Sequence, residues 1–364
     1  MEPNPVEANP LYEIKKRGRA FLEDVRGGDL QRTLRRDIEE SYHFYIDDAT
    51  RDELSAMGRI KRGINTTIYL FKSLFLKLTP LRRIMVAVSL MLVFNGATGS
   101  TGQIVLGFII LLMTLLLELK DKLLAQDELA SGRAVQRALM PAHSPAVPGW
   151  ETWLFTRPAN DVGGDLVDHL PLDDGRLGLA LGDIAGKGLP AALLMAKLQA
   201  TLRALAPGAA SLAELGGAVN AIMHRDGLRN RFASLAYLEL TPNEGKVPLL
   251  NAGHMPPIIV RCDGVDELPR GGIALGLTGA APFAEQETDL SPGDLMIVYS
   301  DGVTEARDAY GVFFDDDRLH ALLPSLRGLT AEAAGRRILA TVDAFTADAP
   351  PHDDLSLIVL KRLA

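Results

Sequence analysis

The spacing of apolar and polar residues changes three times along the chain. Over residues 58–83, "GRIKRGINTTIYLFKSLFLKLTPLRR", the apolar side chains Ile68, Phe71, Leu74, Phe75 and Leu78 recur at helical spacing among seven Lys/Arg and no acid. That pattern predicts a basic amphipathic helix suited to lying on a membrane surface. From Ile84 to Leu117 no residue is charged: "IMVAVSLMLVF" and "IVLGFIILLMTLLL" flank "NGATGSTGQ", whose Gly, Asn and Thr/Ser weaken a helix. One straight helix over this run would reach roughly 51 Å, well beyond a hydrocarbon core of about 30 Å. Two short helices joined by a polar turn fit better, giving a transmembrane helical hairpin over 84–117; a single span, a re-entrant loop and a buried core hairpin are the alternatives. Residues 118–141, "ELKDKLLAQDELASGRAVQRALMP", then read as a linker helix closed by Pro141. Its stripe of Leu119, Leu123, Ala130, Ala134 and Ala138 either pairs two chains in a homodimer or stays solvated.

From residue 142 the texture becomes short and alternating. "GRLGLALGD", "RFASLAYLEL", "KVPLLNAGH", "PPIIVRCDG", "GDLMIVYSDG" and "LSLIVLKR" read as strands, and residues 189–206, 211–225 and 331–346 carry helical patterns. Strands and helices are grouped and do not strictly alternate, which favours an α+β layered fold with mainly antiparallel sheets over a doubly wound one. Four regions follow: 1–83, a cytosolic helical region; 84–117, the hairpin; 118–141, the linker helix; 142–364, a domain large enough for its own core.

Charge sharpens this division. The 364 residues carry a net charge of -8, split as +3 over residues 1–83 and -11 over the rest, a balance that argues against nucleic acid as a partner. The basic flank before Ile84 is expected to face the cytoplasm, and Lys120, Lys122 and Arg133 put the C-terminal part on the same side after an even number of crossings. No cleavable signal is visible, because the apolar run begins some eighty residues in. Cys262 is the sole cysteine, so a disulfide or a cysteine-rich metal site within one chain is excluded and a reducing compartment is expected.

Candidate chemistry is carried by aspartates. "GDIAGKG", residues 182–188, lacks the spacing and the hydroxyl of a phosphate-binding P-loop. What remains is Asp183 at the end of an apolar strand beside a tight turn, a rigid half-exposed position of the kind a metal ligand needs. Asp165 in "NDVGGDLVD", Asp301 in "LMIVYSDGV", and Asp353 and Asp354 before "LSLIVL" stand in the same relation to apolar strands. Singly, each is more often an ordinary turn residue. Together, with little sulfur or imidazole to compete, they point to all-oxygen ligation of a hard cation such as Mg²⁺ or Mn²⁺. His254 and Asn251 in "NAGH" read first as residues fixing a turn, with substrate positioning or protonation of a leaving serine oxygen as the sharper alternative for His254. Lys187 reads as a solvated loop lysine or as a phosphate attractor.

At these residues the chain resembles the bacterial metal-dependent PP2C superfamily of protein phosphatases, in its stage-II-sporulation-E and RsbU-like branch. "VGGDLVD", "LGDIAGKGLPAALLMAKL", "NAGHMPPIIV", "VYSDGVTEARDAYG" and "HDDLSLIVL" occur in that branch's order, over about residues 130–364, with "GRAVQRALMP" similar to the segment placed before the catalytic domain. The resemblance implies a β-sandwich of two antiparallel sheets flanked by helices, with two Mn²⁺ or Mg²⁺ ions at one edge. It implies that Asp183 bridges the ions, that the Ile184 carbonyl ligates one of them, that Asp301 and Asp353 complete the shell, and that Asp165 contributes directly or through water. Asp183 and Asp301 are the expected catalytic pair; Gly164, Lys187, Asn251 and His254 are expected to support substrate or loop. One departure is visible: Asp315 stands where relatives usually have glycine.

The activity so implied is hydrolysis of phosphoserine or phosphothreonine on a regulatory protein, a STAS-type anti-sigma factor antagonist, by an enzyme anchored in the bacterial inner (cytoplasmic) membrane with its phosphatase domain in the cytoplasm. A catalytically inactive receptor-like scaffold is the second reading. A nucleotide cyclase, suggested by "GGD", is the third, although Leu166-Val167 stands where such enzymes carry Glu-Phe.

Overall fold

The computed structural model describes residues 50, 54, 57–97, 99–227 and 231–364, so most of the region expected as cytosolic helices before residue 50 lies outside the described residues. The chain divides into two compact units, Met1–Lys122 and Leu123–Ala364.

In the first unit three helices follow one another: α1 (Arg59–Lys77), α2 (Pro80–Gly96) and α3, which starts at Thr101 and runs to Leu139. Thr79 is extended and Pro80 occupies the first turn of α2, where its missing N–H costs nothing. The polar stretch expected to break the apolar run does so: Gly99 and Ser100 both donate to the Gly96 carbonyl in a four-residue turn. Closely packed helices follow from the small residues. Ser89 Oγ donates to the Gly107 carbonyl at 2.7 Å, and a Cβ on Gly107 would fall 2.8 Å from the Ser89 carbonyl oxygen. At the open end of the hairpin, Arg82 bridges Glu118 at 2.6 Å and Asp121 at 2.5 Å. Apolar side chains point outward instead of into a core, with Phe94 80% and Phe108 63% exposed.

The structure differs from the expected boundaries on both sides of the apolar run: α1 ends at Lys77 and α2 begins at Pro80, ahead of Ile84. The second arm of the hairpin does not stop at Leu117; it is continuous with the linker segment in a single helix of 39 residues. Residue 117 marks a change of hydropathy, not of backbone: "ELKDKLLAQDELA" is made of good helix formers, and nothing there ends the hydrogen-bond ladder until the approach to Pro141. Among the described residues α3 is the one helix long and apolar enough to cross a membrane. The 17 residues of α2 fall short of the roughly 20 that a span usually takes.

The second unit is a sandwich. One sheet has the order β1 (Trp150–Arg157), β10 (Leu355–Arg362), β9 (Leu295–Tyr299), β6 (Ile258–Val260), β7 (Val265–Glu267). The other has β2 (Leu166–Pro171), β3 (Leu177–Ile184), β4 (Ala233–Leu240), β5 (Lys246–Ala252), β8 (Glu285–Asp289). Every paired register is antiparallel. Alternation along each strand explains the layering. On β3, Leu179 and Leu181 enter the core between the sheets with Met296, Val298 and Ile358. Ala180 and Ile184 face the other way, onto α4 (Leu189–Leu205) and α5 (Leu212–Asp226) through Met195, Leu198 and Leu215. The opposite sheet is covered by α6 (Asp315–Leu322) and α7 (Ala331–Thr346) through Leu319, Ala334 and Ile338. Because strands such as β3 are buried on both faces, they read in the sequence as nearly continuous apolar runs.

Asp315 has a positive φ of 61° at the start of α6, a conformation that glycine adopts without strain and aspartate tolerates better than most. Its carboxylate compensates by accepting from the Arg318 backbone N–H at 3.1 Å and pairing with the Arg318 guanidinium at 2.7 Å.

Candidate metal centre at the rim of the sandwich

Antiparallel registers bring the aspartates to one end of the two sheets. Leu166 of β2 pairs with Gly182 of β3, so the next residues outward, Asp165 and Asp183, lie across from one another. In the other sheet Leu357 pairs with Tyr299, which places Asp301, two residues beyond β9, beside Asp353 and Asp354 at the start of β10. By alternation Asp165 and Asp183 project on the inter-sheet side, as Val167 and Leu181 do.

Their electrostatics show that they share one space. Asp165 is 3% exposed, and its pKa is pushed well above the carboxylate range by burial and then by the Asp183 charge; the hydroxyls of Ser356 and Ser300, from the opposite sheet, offset part of this. Asp183 is raised to about 6 by burial and by Asp353 and Asp354. Asp301 is raised to about 7 by burial and by Asp183 and Asp353. Asp183 perturbs or is perturbed by every other member, which makes it the electrostatic centre of the group.

The loops are shaped by close approaches. Asp354 accepts from the Ala159 N–H at 2.7 Å and the Gly164 N–H at 2.5 Å, tying the loop before β2 to the start of β10. A Cβ on Gly163 would sit 2.6 Å from the Asp354 carboxylate, and one on Gly164 3.2 Å from the Ile184 carbonyl oxygen. "GGD" is therefore a steric requirement for bringing Asp165 next to β3 and β10. In the turn after β3, Gly186 and Gly188 have φ of 112° and 75°. Arg231 packs its guanidinium where a Gly186 side chain would be and donates to the Ala185 carbonyl at 2.7 Å.

The remaining residues expected at the site separate into two groups. Lys187 belongs to the rim: its Nζ is 2.9 Å from Asp353 Oδ2 and donates to the His352 carbonyl at 2.6 Å. Asn251 and His254 form a buried turn clamp. Asn251 Oδ1 accepts from the His254 backbone N–H at 2.9 Å, and His254 Nδ1 meets Ser234 Oγ at 2.7 Å. His254 is 6% exposed, and burial lowers its pKa to about 4, so it is neutral at physiological pH. Sequence reasoning did not assign the loop-tying role of Asp354 or the clamp made by Arg231. For Asp354 the available signal was its place beside Asp353 in "HDD"; for Arg231 there was none, since its partner lies 46 residues away.

The family model for Stage II sporulation protein E (SpoIIE) matches residues 173–363, more than half of the chain. The chain belongs to this family. Asp183, Asp301 and Asp353 lie within the matched SpoIIE segment and Asp165 lies before it. Among curated relatives, the chain is 28% identical over 220 residues to Protein IcfG of Synechocystis sp., covering 53% of this chain and 35% of that protein. It is 24% identical over 239 residues to Phosphoserine phosphatase RsbU of Bacillus subtilis, covering 65% of this chain and 70% of RsbU. The chain thus spans only about a third of the first of these relatives. Among solved structures, the SiaA-PP2C domain of Pseudomonas aeruginosa superposes with a TM-score of 0.57 at 19% identity, covering 67% of this chain and 99% of that domain. The PP2C-like fold, two antiparallel sheets with flanking helices, is the one expected from the motifs.

The SpoIIE rim can be tested for a divalent cation on its own atoms. The donors are all oxygens, the choice of a hard cation. Asp165 Oδ2 is buried without a hydrogen-bond partner, and Asp165 and Asp183 are raised first by burial and then by neighbouring carboxylates. In these respects the residues fit. Their spacing is looser than a closed ligand shell: among the described residues no three His, Cys, Asp or Glu side chains are grouped to hold a metal as they stand. Asp353 is engaged by Lys187, and Asp354 by the loop N–H groups.

Proposed function

We propose that this SpoIIE-family chain is a membrane-anchored, metal-dependent protein serine/threonine phosphatase, with residues 142–364 as its catalytic domain. The observation that carries the reading is the convergence of Asp165, Asp183, Asp301 and Asp353 at one rim, with a buried unpartnered oxygen on Asp165 and with Asp165, Asp183 and Asp301 raised first by burial and then by neighbouring carboxylates. When bound there, two Mn²⁺ or Mg²⁺ ions supply charge neutralisation for phosphate oxygens and an acidified water. Asp183, whose charge interacts with every other carboxylate of the rim, would be the central ligand. Asp301 and Asp353, from the opposite sheet, close the donor set, and the Ile184 carbonyl and Asp165 complete it from the β2–β3 side. The glycines at 163, 164 and 186 let Asp354, the Ile184 carbonyl and Arg231 pack against the loops that carry the rim, and Gly188 leaves open space beside Lys187. Neutral, buried His254 and Asn251 hold the turn after β5.

The likeness to a phosphoserine phosphatase supports a phosphorylated serine as the group acted on. A STAS-type anti-sigma factor antagonist as the phosphoprotein rests on the resemblance of the motifs alone. Anchoring in the inner membrane, with the catalytic domain in the cytoplasm, is supported by the apolar helix α3 and the basic character of α1, and α3 also offers the stripe for a homodimer. The scaffold reading keeps one supporting observation, the absence of a ready-grouped metal set among the described residues.

Turnover decides between them. With Mn²⁺ the full-length protein is expected to release phosphate from a phosphoserine protein substrate, to stop in excess chelator, and to lose turnover on Asp183→Asn while staying folded. Turnover by Asp183→Asn at saturating Mn²⁺, or turnover unaffected by chelator, refutes the metal mechanism; a wild-type protein inert under all metals leaves the scaffold.

A further inference from the structure

Lys187 sits between the two glycines of positive φ in the turn after β3, conformations that glycine adopts without strain. Its ammonium is tied to the rim. It is 2.9 Å from Asp353 Oδ2 and donates to the His352 carbonyl at 2.6 Å, so the turn is laid across the start of β10. Asp353 is one of the carboxylates of the candidate donor set. The same contact takes a donor oxygen out of the set.

We propose that Lys187 is the resident cation of the rim: in the metal-free protein it occupies Asp353 and pins the 182–188 turn to β10, and a divalent cation must displace it to engage that carboxylate. The proposal rests on the metal-dependent reading of the rim and extends it to the order of events. The metal-free site is held assembled by an internal positive charge, and metal binding frees a lysine at the mouth of the site, on a turn able to carry it to an incoming phosphate.

The size of the effect follows from exposure. The Lys187 side chain is 49% exposed and that of Asp353 28%, so the pair is solvent-screened and its loss is worth a small factor. Lys187→Met keeps length and removes charge. It is expected to tighten Mn²⁺ binding by about two- to five-fold, the range of a screened ion pair.

The experiment measures Mn²⁺ binding to the full-length protein in detergent by calorimetry, with free Mn²⁺ counted by electron paramagnetic resonance, so the readout does not depend on turnover. Wild type is compared with Lys187→Met, Lys187→Arg and both Lys187→Met and wild type in the Asp353→Asn background; Lys187→Gln repeats the measurement if the methionine variant is poorly soluble. Tighter binding by Lys187→Met at unchanged stoichiometry, wild-type affinity for Lys187→Arg, and no effect of Lys187→Met once Asp353 is Asn support the proposal. Equal or weaker binding by Lys187→Met and Lys187→Gln, or a tightening that persists with Asp353→Asn, overturns it alone. Failure of the wild type to bind Mn²⁺ at all overturns the metal reading beneath it as well.

Discussion

Asp354 is a carboxylate at a crowded acidic rim, yet its removal is expected to destabilise the fold. Asp354→Ala deletes the acceptor of two backbone N–H groups, those of Ala159 at 2.7 Å and Gly164 at 2.5 Å. Gly164 is buried, so its N–H is left without water or partner, a loss of about 1–3 kcal/mol. Ala159 is only half-buried, so its bond contributes a net of about 0.5–1.5 kcal/mol. Against this, Asp354 is one of the charges that raise Asp165 and Asp183, and removing it returns part of the loss. The net expectation is about 2 kcal/mol for Asp354→Ala and roughly half that for Asp354→Asn, which keeps one acceptor oxygen. Both tryptophans, Trp150 and Trp153, lie in β1, so their fluorescence during urea unfolding follows the sandwich and not the helical hairpin. A loss of about 2 kcal/mol moves the midpoint by about 1 M urea. If metal-free Asp354→Ala unfolds within about 0.2 M of wild type, against that expected shift, the carboxylate is not holding the loop.

Three further outcomes are expected. Gly302→Ala should prevent folding of the sandwich, because a Cβ there would overlap the Asp354 carbonyl oxygen, whereas Gly217→Ala on α5, with nothing within 4 Å, should stabilise by about 0.5–1 kcal/mol; equal urea midpoints for the two would contradict the packing. Asp315→Gly should lie within about 0.5 kcal/mol of wild type, since lost bonds to Arg318 are offset by relief of the positive φ, while Asp315→Val should lose more than about 1 kcal/mol; thermal unfolding ranks the two, and the reverse order is the failing result. For His254 the folded pKa of about 4 lies below the unfolded value near 6.5, so the unfolded state binds the extra proton; its stability contribution is complete above pH 6.5 and falls away by about 3 kcal/mol as the pH drops to 4. The raised rim aspartates act in the opposite sense, so the test is the difference between wild type and His254→Gln in urea at about pH 7.5 and about pH 5, and a difference independent of pH removes the argument.

What the sequence disclosed tracks how local each cause is. β3, β4, β9 and β10 announce themselves because burial on both faces demands unbroken apolar runs, and the aspartates announce themselves by following those runs beside glycines. β8, "EQETD", is an edge strand whose alternating exposure leaves only polar letters to read. Helix α6 opens on three aspartates and a positive φ, so its pattern looks like a turn. The fusion of hairpin and linker into α3 was hidden because hydropathy changes at residue 117 and helix propensity does not.

The rim shows the same limit in sharper form. That Asp165 and Asp183 stand opposite each other is a consequence of register, and register is constrained by the short connection between β2 and β3, residues near in the chain. That Asp354 must hold the Gly164 N–H is a contact across 190 residues with a backbone atom, which no side-chain pattern encodes. The double glycine before Asp165 records that contact indirectly: at Gly163 any side chain would strike the carboxylate, and at Gly164 it would crowd the Ile184 carbonyl. Glycines read in the sequence as turn formers are here spaces left for two approaching strands, and the space is what lets carboxylates from both sheets share one rim.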